Sequence, residues 1–462
     1  MAPSGSVKLH CQVSPRPSRA RHVVMAFLVM LAFLTYFDRI CIVRAQRMIQ
    51  SDFGLTDVEF GSILGGFFLA YGLFQIPGGW SGDRFGARLS LTRIVMAWSA
   101  FTALSGAATG YWSLLAYRFC FGVGEAGAFA NMTRVQSVWL PASSRGAVGG
   151  IVWLAARWGG AFSPMIFAAL LGCLDAQPTR VALEAIPGLA GIASWRLAFW
   201  VAGLVGIVWS IGFYLWFRDS PAAHPGVNAA ELALVTGGGA QEAKIRPGAI
   251  PSSVWRALFT NRSLLALSLM VFCGSFGYSF FLSWAPRYLL DVHGVEFETS
   301  DNIFKQPLFY GGIACLVGGY LTDLCLRRTG RLRLSRAVLV IAGYLVAAAA
   351  MFKLKSATDG DEAVFLMCLA SAAIDIGQAA TIATVMDIGG RYVGIAFGLM
   401  NMVDNMSSAL QPSVGAFIFN EYGWDTLFGV YAGAVLVGAS MWAFIDPARL
   451  FYVDADAQSG AL

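Results

Sequence analysis

The chain has 462 residues, of which 57% are hydrophobic and 13% charged, with a formal net charge of +5 and a mean hydropathy of +0.63. Those values lie far from the averages of soluble proteins and exclude a chain whose main solvent is water. The positive balance does not point to nucleic acid, because Lys and Arg sit in short segments between apolar runs rather than along one face.

Residues 1–21 carry Lys8, Arg16, Arg19 and Arg21 ahead of the apolar run Val23 to Phe37. The layout is similar to a secretory signal peptide, but no small-x-small cleavage site precedes Asp38, so a tail feeding an uncleaved first helix is expected. Apolar runs of about 20 residues, enough to cross roughly 30 Å of hydrocarbon, then recur along the chain. Runs such as Val201 to Phe217 lack the alternation of a barrel strand, so they are read as helices, in which every backbone group bonds internally. Helices are expected near 22–45, 60–80, 89–108, 112–136, 146–171, 195–217, 263–289, 304–326, 335–352, 363–385, 392–419 and 425–445. The polar stretch Arg218 to Asn261, with Pro221, Pro225, Gly237-Gly238-Gly239 and Pro247, reads as a linker. The expected organisation is an N-terminal bundle over 22–217, a linker over 218–262, a C-terminal bundle over 263–446 and a tail over 447–462. The eight cysteines are scattered with no C-x-x-C pair, so neither metal binding nor disulfide pairing is expected.

Arg84 and Arg88 follow helix two, Arg145 follows helix four, and Arg327, Arg328, Arg331, Arg333 and Arg336 cluster after helix eight, all on one side. Cations are retained on the cytoplasmic side, which places both termini and the linker there. The halves also repeat one another. Gly79-x-x-x-Asp83 after helix two returns as Gly319-x-x-x-Asp323 after helix eight, and Trp195-x-x-x-Phe199 opening helix six returns as Trp424-x-x-x-Phe428 opening helix twelve. The fold expected is an all-α membrane protein with twelve transmembrane helices in two pseudo-symmetric six-helix bundles and a central site between them.

The most specific motif is Gly79-Trp80-Ser81-Gly82-Asp83-Arg84-Phe85-Gly86-Ala87-Arg88. Its glycines let helix ends approach, while Asp83, Arg84 and Arg88 can form charge-assisted bonds that latch helices in one conformation, with Gly86 in the turn and Asp323 in the second copy. A plain tight turn with topogenic cations is the alternative. Only fifteen apolar residues precede Asp38 and Arg39, fewer than a span needs, so the pair is placed in the outer half of helix one rather than at its boundary. In helix four, Arg118 and Glu125 stand seven residues apart and return to the same helix face, about 10 Å along the axis. That face offers an Arg fork for a carboxylate and an acid able to take a proton. A structural ion pair between helices one and four is the other reading. Arg157 in helix five and Asp404 in helix eleven suggest a second charge pair. Asp375 in helix ten is a further buried acid with a capping or packing role equally open.

Together these residues resemble the anion:cation symporter family of the major facilitator superfamily, which includes bacterial galactonate and hexuronate transporters, vesicular glutamate transporters and sialin. Beyond the loop motif, the likeness rests on Tyr36-Phe37-Asp38-Arg39, Phe53-Gly54-Leu55, Gln75-Ile76-Pro77-Gly78-Gly79-Trp80, Arg118 with Glu125, Phe280-Phe281-Leu282-Ser283-Trp284-Ala285-Pro286, and Asn401 with Asn405. The resemblance implies that Arg39 and Arg118 bind a substrate carboxylate, that Asp38 and Glu125 couple protons, and that Tyr71 and Asn405 supply polar contacts. Arg157 and Asp404 depart from the family pattern, which commonly has a neutral polar residue and a Gly there. The function expected is proton-coupled uptake of a small organic anion, a sugar acid such as a hexuronate or aldonate, by alternating access. Its hydroxyls would meet Tyr71, Tyr278, Gln378, Asn401 or Asn405, with Arg157 as a further cation. A monomer in the bacterial inner membrane is expected, with no metal, cofactor or nucleic acid. An exporter of amphipathic compounds and a non-transporting solute sensor are the rivals. An enzyme is disfavoured, since neither Gly-x-Ser-x-Gly nor His-Glu-x-x-His occurs.

Overall fold

The computed structural model describes residues 16–236, 250–295 and 297–452, with side chains omitted for 282 and 297–305. Gly237 to Gly239 and Pro247 of the linker lie outside the described residues, as do most of the two tails. Among the described residues the regular structure is entirely helical. The spans are α1 (Ala20–Arg44), α2 (Asp57–Leu73 continued by Gln75–Phe85), α3 (Ala87–Gly106), α4 (Tyr111–Glu125 continued by Ala128–Trp139), α5 (Arg145–Asp175) and α6 (Ser194–Trp216). The second half supplies α7 (Arg262–Ser283 continued by Ala285–His293), α8 (Phe297–Thr329), α9 (Leu332–Lys353) and α10 (Gly360–Asp375 continued by Gln378–Gly389). The helix Val393–Ser440 completes it, divided at Gly423 into α11 and α12.

The breaks have local causes. Pro77 cannot donate to the carbonyl of Leu73, and α2 breaks at Phe74; Pro286 has the same effect on α7, which breaks at Trp284. Gly423 has φ +82°, a left-handed conformation open to glycine, and the chain turns there between two spans. In α4 the break follows Glu125 and in α10 it follows Asp375, with Gly127 and Gly377 two residues on. The motif Gly79 to Asp83 therefore lies within the last turns of α2, not in a loop after it, and Asp323 likewise lies inside α8. Both stay helical because their glycines face another helix rather than water.

Within the first half α1 packs on α5, α3 on α6 and α2 on α4; within the second, α7 packs on α11 and α8 and α9 on α10. The halves meet where α5 lies against α8 and α2 against α11. Buried Trp98, Phe67, Phe121 and Phe213 fill the first half, and Phe280, Tyr344, Phe428 and Tyr431 the second.

Candidate functional site

Two sets of buried polar groups occupy the contact between the halves, one at mid-span and one at the end marked by the glycine motif. At mid-span, Arg39 of α1 donates from Nε to Oε1 of Glu125 in α4 at 2.6 Å. The ion pair between helices one and four is therefore present, made by Arg39 and Glu125. The Arg39 guanidinium lies 4.2 Å from the Tyr71 ring centroid and 5.2 Å from that of Tyr36, contacts that hold a planar cation in place. Asp38 is buried and accepts from Nε1 of Trp98 at 3.1 Å. Arg118, only 1% exposed, stacks on Phe121 at 4.4 Å, and its Nε and Nη1 have no acceptor in the described structure. Glu125 Oε2, Asp38 Oδ1 and Arg39 Nη2 are equally unpartnered. Buried charged atoms left without partners are costly, and these five cluster at mid-span.

Arg157 and Asp404, whose pairing the sequence leaves open, do not pair. Arg157 of α5 donates from Nη2 to Oδ1 of Asp375 in α10 at 2.7 Å, joining the two halves, and lies 4.4 Å from the Tyr278 ring centroid. Asp404 instead accepts the hydroxyl of Ser275 from α7. The reason is helix position: Asp375 ends the first segment of α10, whereas Asp404 faces α7 within its own half. Asn401 donates to the Tyr71 hydroxyl at 3.4 Å across the halves. Asn405 is turned back on the carbonyl of Asn401 at 2.7 Å, and Gln378 is half-buried at the start of the second segment of α10.

At the motif end, Asp83 accepts the backbone N–H groups of Gly394 at 3.1 Å and Ile395 at 2.8 Å. These belong to the N-terminus of α11, where unsatisfied amides and the helix dipole attract a carboxylate. Its ionic partner is Arg134 of α4 at 2.5 Å, not Arg84 or Arg88. Arg84 lies over the rings of Trp80 and Phe85, and Arg88 donates to the carbonyl of Tyr214 at 2.9 Å. Gly86, at φ +86°, leaves room for the Asp219 carboxylate, which accepts from Arg88 N at 2.9 Å. In the second copy Asp323 accepts from Gly146 N at 3.0 Å and Ala147 N at 2.7 Å at the start of α5. Asp387 accepts from Arg145 at 2.8 Å and from the fully buried Arg336 at 2.9 Å. This network of Arg134, Arg145, Asp387 and Arg336 is not legible in the sequence, where Arg145 and Arg336 read only as topogenic cations and Arg134 belongs to no motif. A recurring signal was available for the mid-span site: Glu125-x-Gly127 and Asp375-x-Gly377 are the same pattern in the two halves.

At the opposite end a cavity of 790 Å³ opens, lined in part by Arg44, Arg47, Gln50, Asp57 and Leu171. Two six-helix halves, tied at one end and with buried charge at mid-span, are the architecture of a membrane transporter. Residues 28–393 match the Major Facilitator Superfamily, and the chain belongs to that family. It is 30% identical to a probable sulfoacetate transporter of Cupriavidus necator over 93% of this chain and 94% of that one. It is 27% identical to a D-galactonate transporter of Escherichia coli, covering 92% and 95%, and 26% identical to a hexuronate transporter of Bacillus subtilis, covering 94% and 95%. Among solved structures it resembles the E. coli fucose:proton symporter with a TM-score of 0.67 and 15% identity, covering 92% and 99%. A proton:xylose symporter matches with a TM-score of 0.66 and 17% identity, covering 94% and 98%.

Proposed function

We propose that this transporter carries a small organic anion, a sugar acid such as a hexuronate or aldonate, inward together with protons. The observation that carries the reading is the Arg39–Glu125 pair at 2.6 Å, with the unpartnered Arg118 and Asp38 atoms beside it. A buried cation deprived of its partner costs about 3–5 kcal/mol, so Arg39 needs one carboxylate or another. With Glu125 ionised, the protein's own carboxylate takes that place. With Glu125 protonated, the substrate carboxylate takes it and draws on the free Nε and Nη1 of Arg118. Proton and anion therefore load together, and loss of the proton lets Glu125 recapture Arg39 and expel the anion.

The closed latch end supports a route in which the substrate enters from the side opposite Asp83. Both termini then face the cytoplasm of a bacterial inner membrane, and a single chain suffices as the working unit. The cargo named for the relatives (sulfoacetate, D-galactonate, hexuronate) supports an anionic substrate. The test is uptake into proteoliposomes under an imposed pH gradient. Glu125→Gln is expected to abolish pH-driven accumulation while keeping substrate exchange, and Arg118→Ala to lower affinity at least about tenfold, the value of one charge-assisted contact. Intact accumulation by Glu125→Gln would remove Glu125 from coupling, and binding without any flux would leave a sensor.

A further inference from the structure

The central site contains two ion pairs rather than one, and their carboxylates occupy matching places in the two halves. Glu125 ends the first segment of α4 and Asp375 ends the first segment of α10, each followed by x-Gly at a helix break. Each carboxylate holds one guanidinium: Glu125 that of Arg39 and Asp375 that of Arg157. Tyr36 lies between them, 5.2 Å from the Arg39 guanidinium on one side, and packed at Gly160, three residues along α5 from Arg157, on the other. Each guanidinium also keeps a buried donor with no acceptor, Nη2 on Arg39 and Nε on Arg157. The Asp375 carboxylate sits in a hollow that exists because residue 311 is glycine, where a Cβ would stand 2.2 Å from Oδ2.

From this duplication we infer that the site takes a dianion: a short organic acid with an anionic group at each end, one on Arg39 and Arg118 and the other on Arg157 in place of the Asp375 carboxylate. The inference rests on the anion-transport reading above and narrows its substrate class. A monoanion needs only the first of the two cation centres. Maintaining a second buried cation next to a carboxylate for which Gly311 leaves room makes chemical sense when a substrate group exchanges with that carboxylate. Because Arg157 and Asp375 come from opposite halves, the exchange also unties α5 from α10, so binding of the second anionic group is coupled to relative movement of the bundles.

The experiment uses the purified full-length transporter and a matched pair of probes with one carbon skeleton, D-glucarate with two carboxylates and D-gluconate with one, together with sulfoacetate and acetate as a shorter pair. Binding is measured by calorimetry. In at least one pair the dianion is expected to bind about tenfold or more tightly than its monoanion, one charge-assisted contact in affinity. Arg157→Gln is expected to reduce that ratio to near one, Arg157→Lys to restore part of it, and Asp375→Asn, which removes the competing carboxylate, to increase dianion affinity. Equal binding of mono- and dianion by the unaltered protein, or a ratio unmoved by Arg157→Gln, overturns the inference and leaves the anion reading standing. Binding of no member of either pair overturns both. Monodisperse, folded Arg157→Lys keeps the test valid if the Gln variant is unstable.

Discussion

The two halves of the molecule share their latch but not their charges. In the first half Gly79 approaches α11 so closely that a Cβ would lie 2.0 Å from the carbonyl oxygen of Gly394; in the second, Gly319 approaches α5 with the corresponding distance 2.3 Å to that of Gly146. Each glycine is followed four residues later by an aspartate that accepts two N–H groups at the start of the facing helix. The second copy has lost most of the motif's sequence and kept all of this geometry. What the repeat preserves is a close backbone approach and a carboxylate on a helix N-terminus, which need only Gly and Asp at the right spacing. The mid-span charges differ: Asp38, Arg39, Arg118, Glu125 and Arg157 belong to the first half, and Asp375 and Asp404 to the second. The close approach is thus symmetric, while most of the buried mid-span charge belongs to one half.

Substituting the glycines tests the equivalence most strongly. Gly79→Val and Gly319→Val each force a carbonyl oxygen aside, and overpacking of this kind costs about 1–3 kcal/mol or more. Both are expected to open the latch end, raising the labelling of a cysteine introduced there and lowering uptake by about tenfold, the equivalent of roughly 1.4 kcal/mol. A silent Gly319→Val would show that only the first copy is a latch. Asp83→Asn strands Arg134, whose partner is 2.5 Å away, whereas Asp323 has Arg336 only at 4.0 Å and Arg336 keeps Asp387. The expected losses are about 3–5 kcal/mol for a broken buried pair and about 1.5–3 kcal/mol for charge-assisted bonds to amides. Thermal unfolding should therefore shift further for Asp83→Asn; equal shifts would mean that Arg134 adds nothing to the amide bonds.

The smallest effect concerns a clasp that backs the first latch alone. His224 in the linker packs against Trp139 and Trp216, and its Nδ1 accepts the Gly226 N–H at 3.0 Å. Burial pushes its pKa below the ordinary 6.5, so the folded protein favours the neutral ring. The contribution to stability is complete above the unfolded value and is lost as pH falls through the lowered folded one. His224→Gln is expected to flatten the fall in thermal stability between about pH 7 and 5 by a few tenths of a unit of proton uptake, the fraction one histidine can supply. An unchanged pH profile would show that His224 takes up no proton on unfolding.

Much of the fold was legible in the chain. Long apolar runs without strand alternation admit only helices in lipid, the linker composition divides the halves, and Trp195 and Trp424 do open α6 and α12. The breaks at Phe74 and Trp284 were implicit in Pro77 and Pro286, while those after Glu125 and Asp375 were hidden in apolar, glycine-containing segments without a proline. For the site, the sequence singled out Asp38, Arg39, Arg118, Glu125 and Arg157, because ionisable residues in an apolar run are expensive wherever they point.

Partner choice was a different matter. Sequence by itself determined which residues carry charge at depth and that they must be compensated, since burial cost depends on residue type and the surrounding hydrophobicity. Tertiary structure alone decided that Glu125 goes to Arg39, that Arg157 goes to Asp375 and not Asp404, and that Asp83 goes to Arg134 rather than to the adjacent arginines. Ion pairing depends on which helix faces converge within a few ångströms, and that is fixed by the packing of helices far apart in the chain.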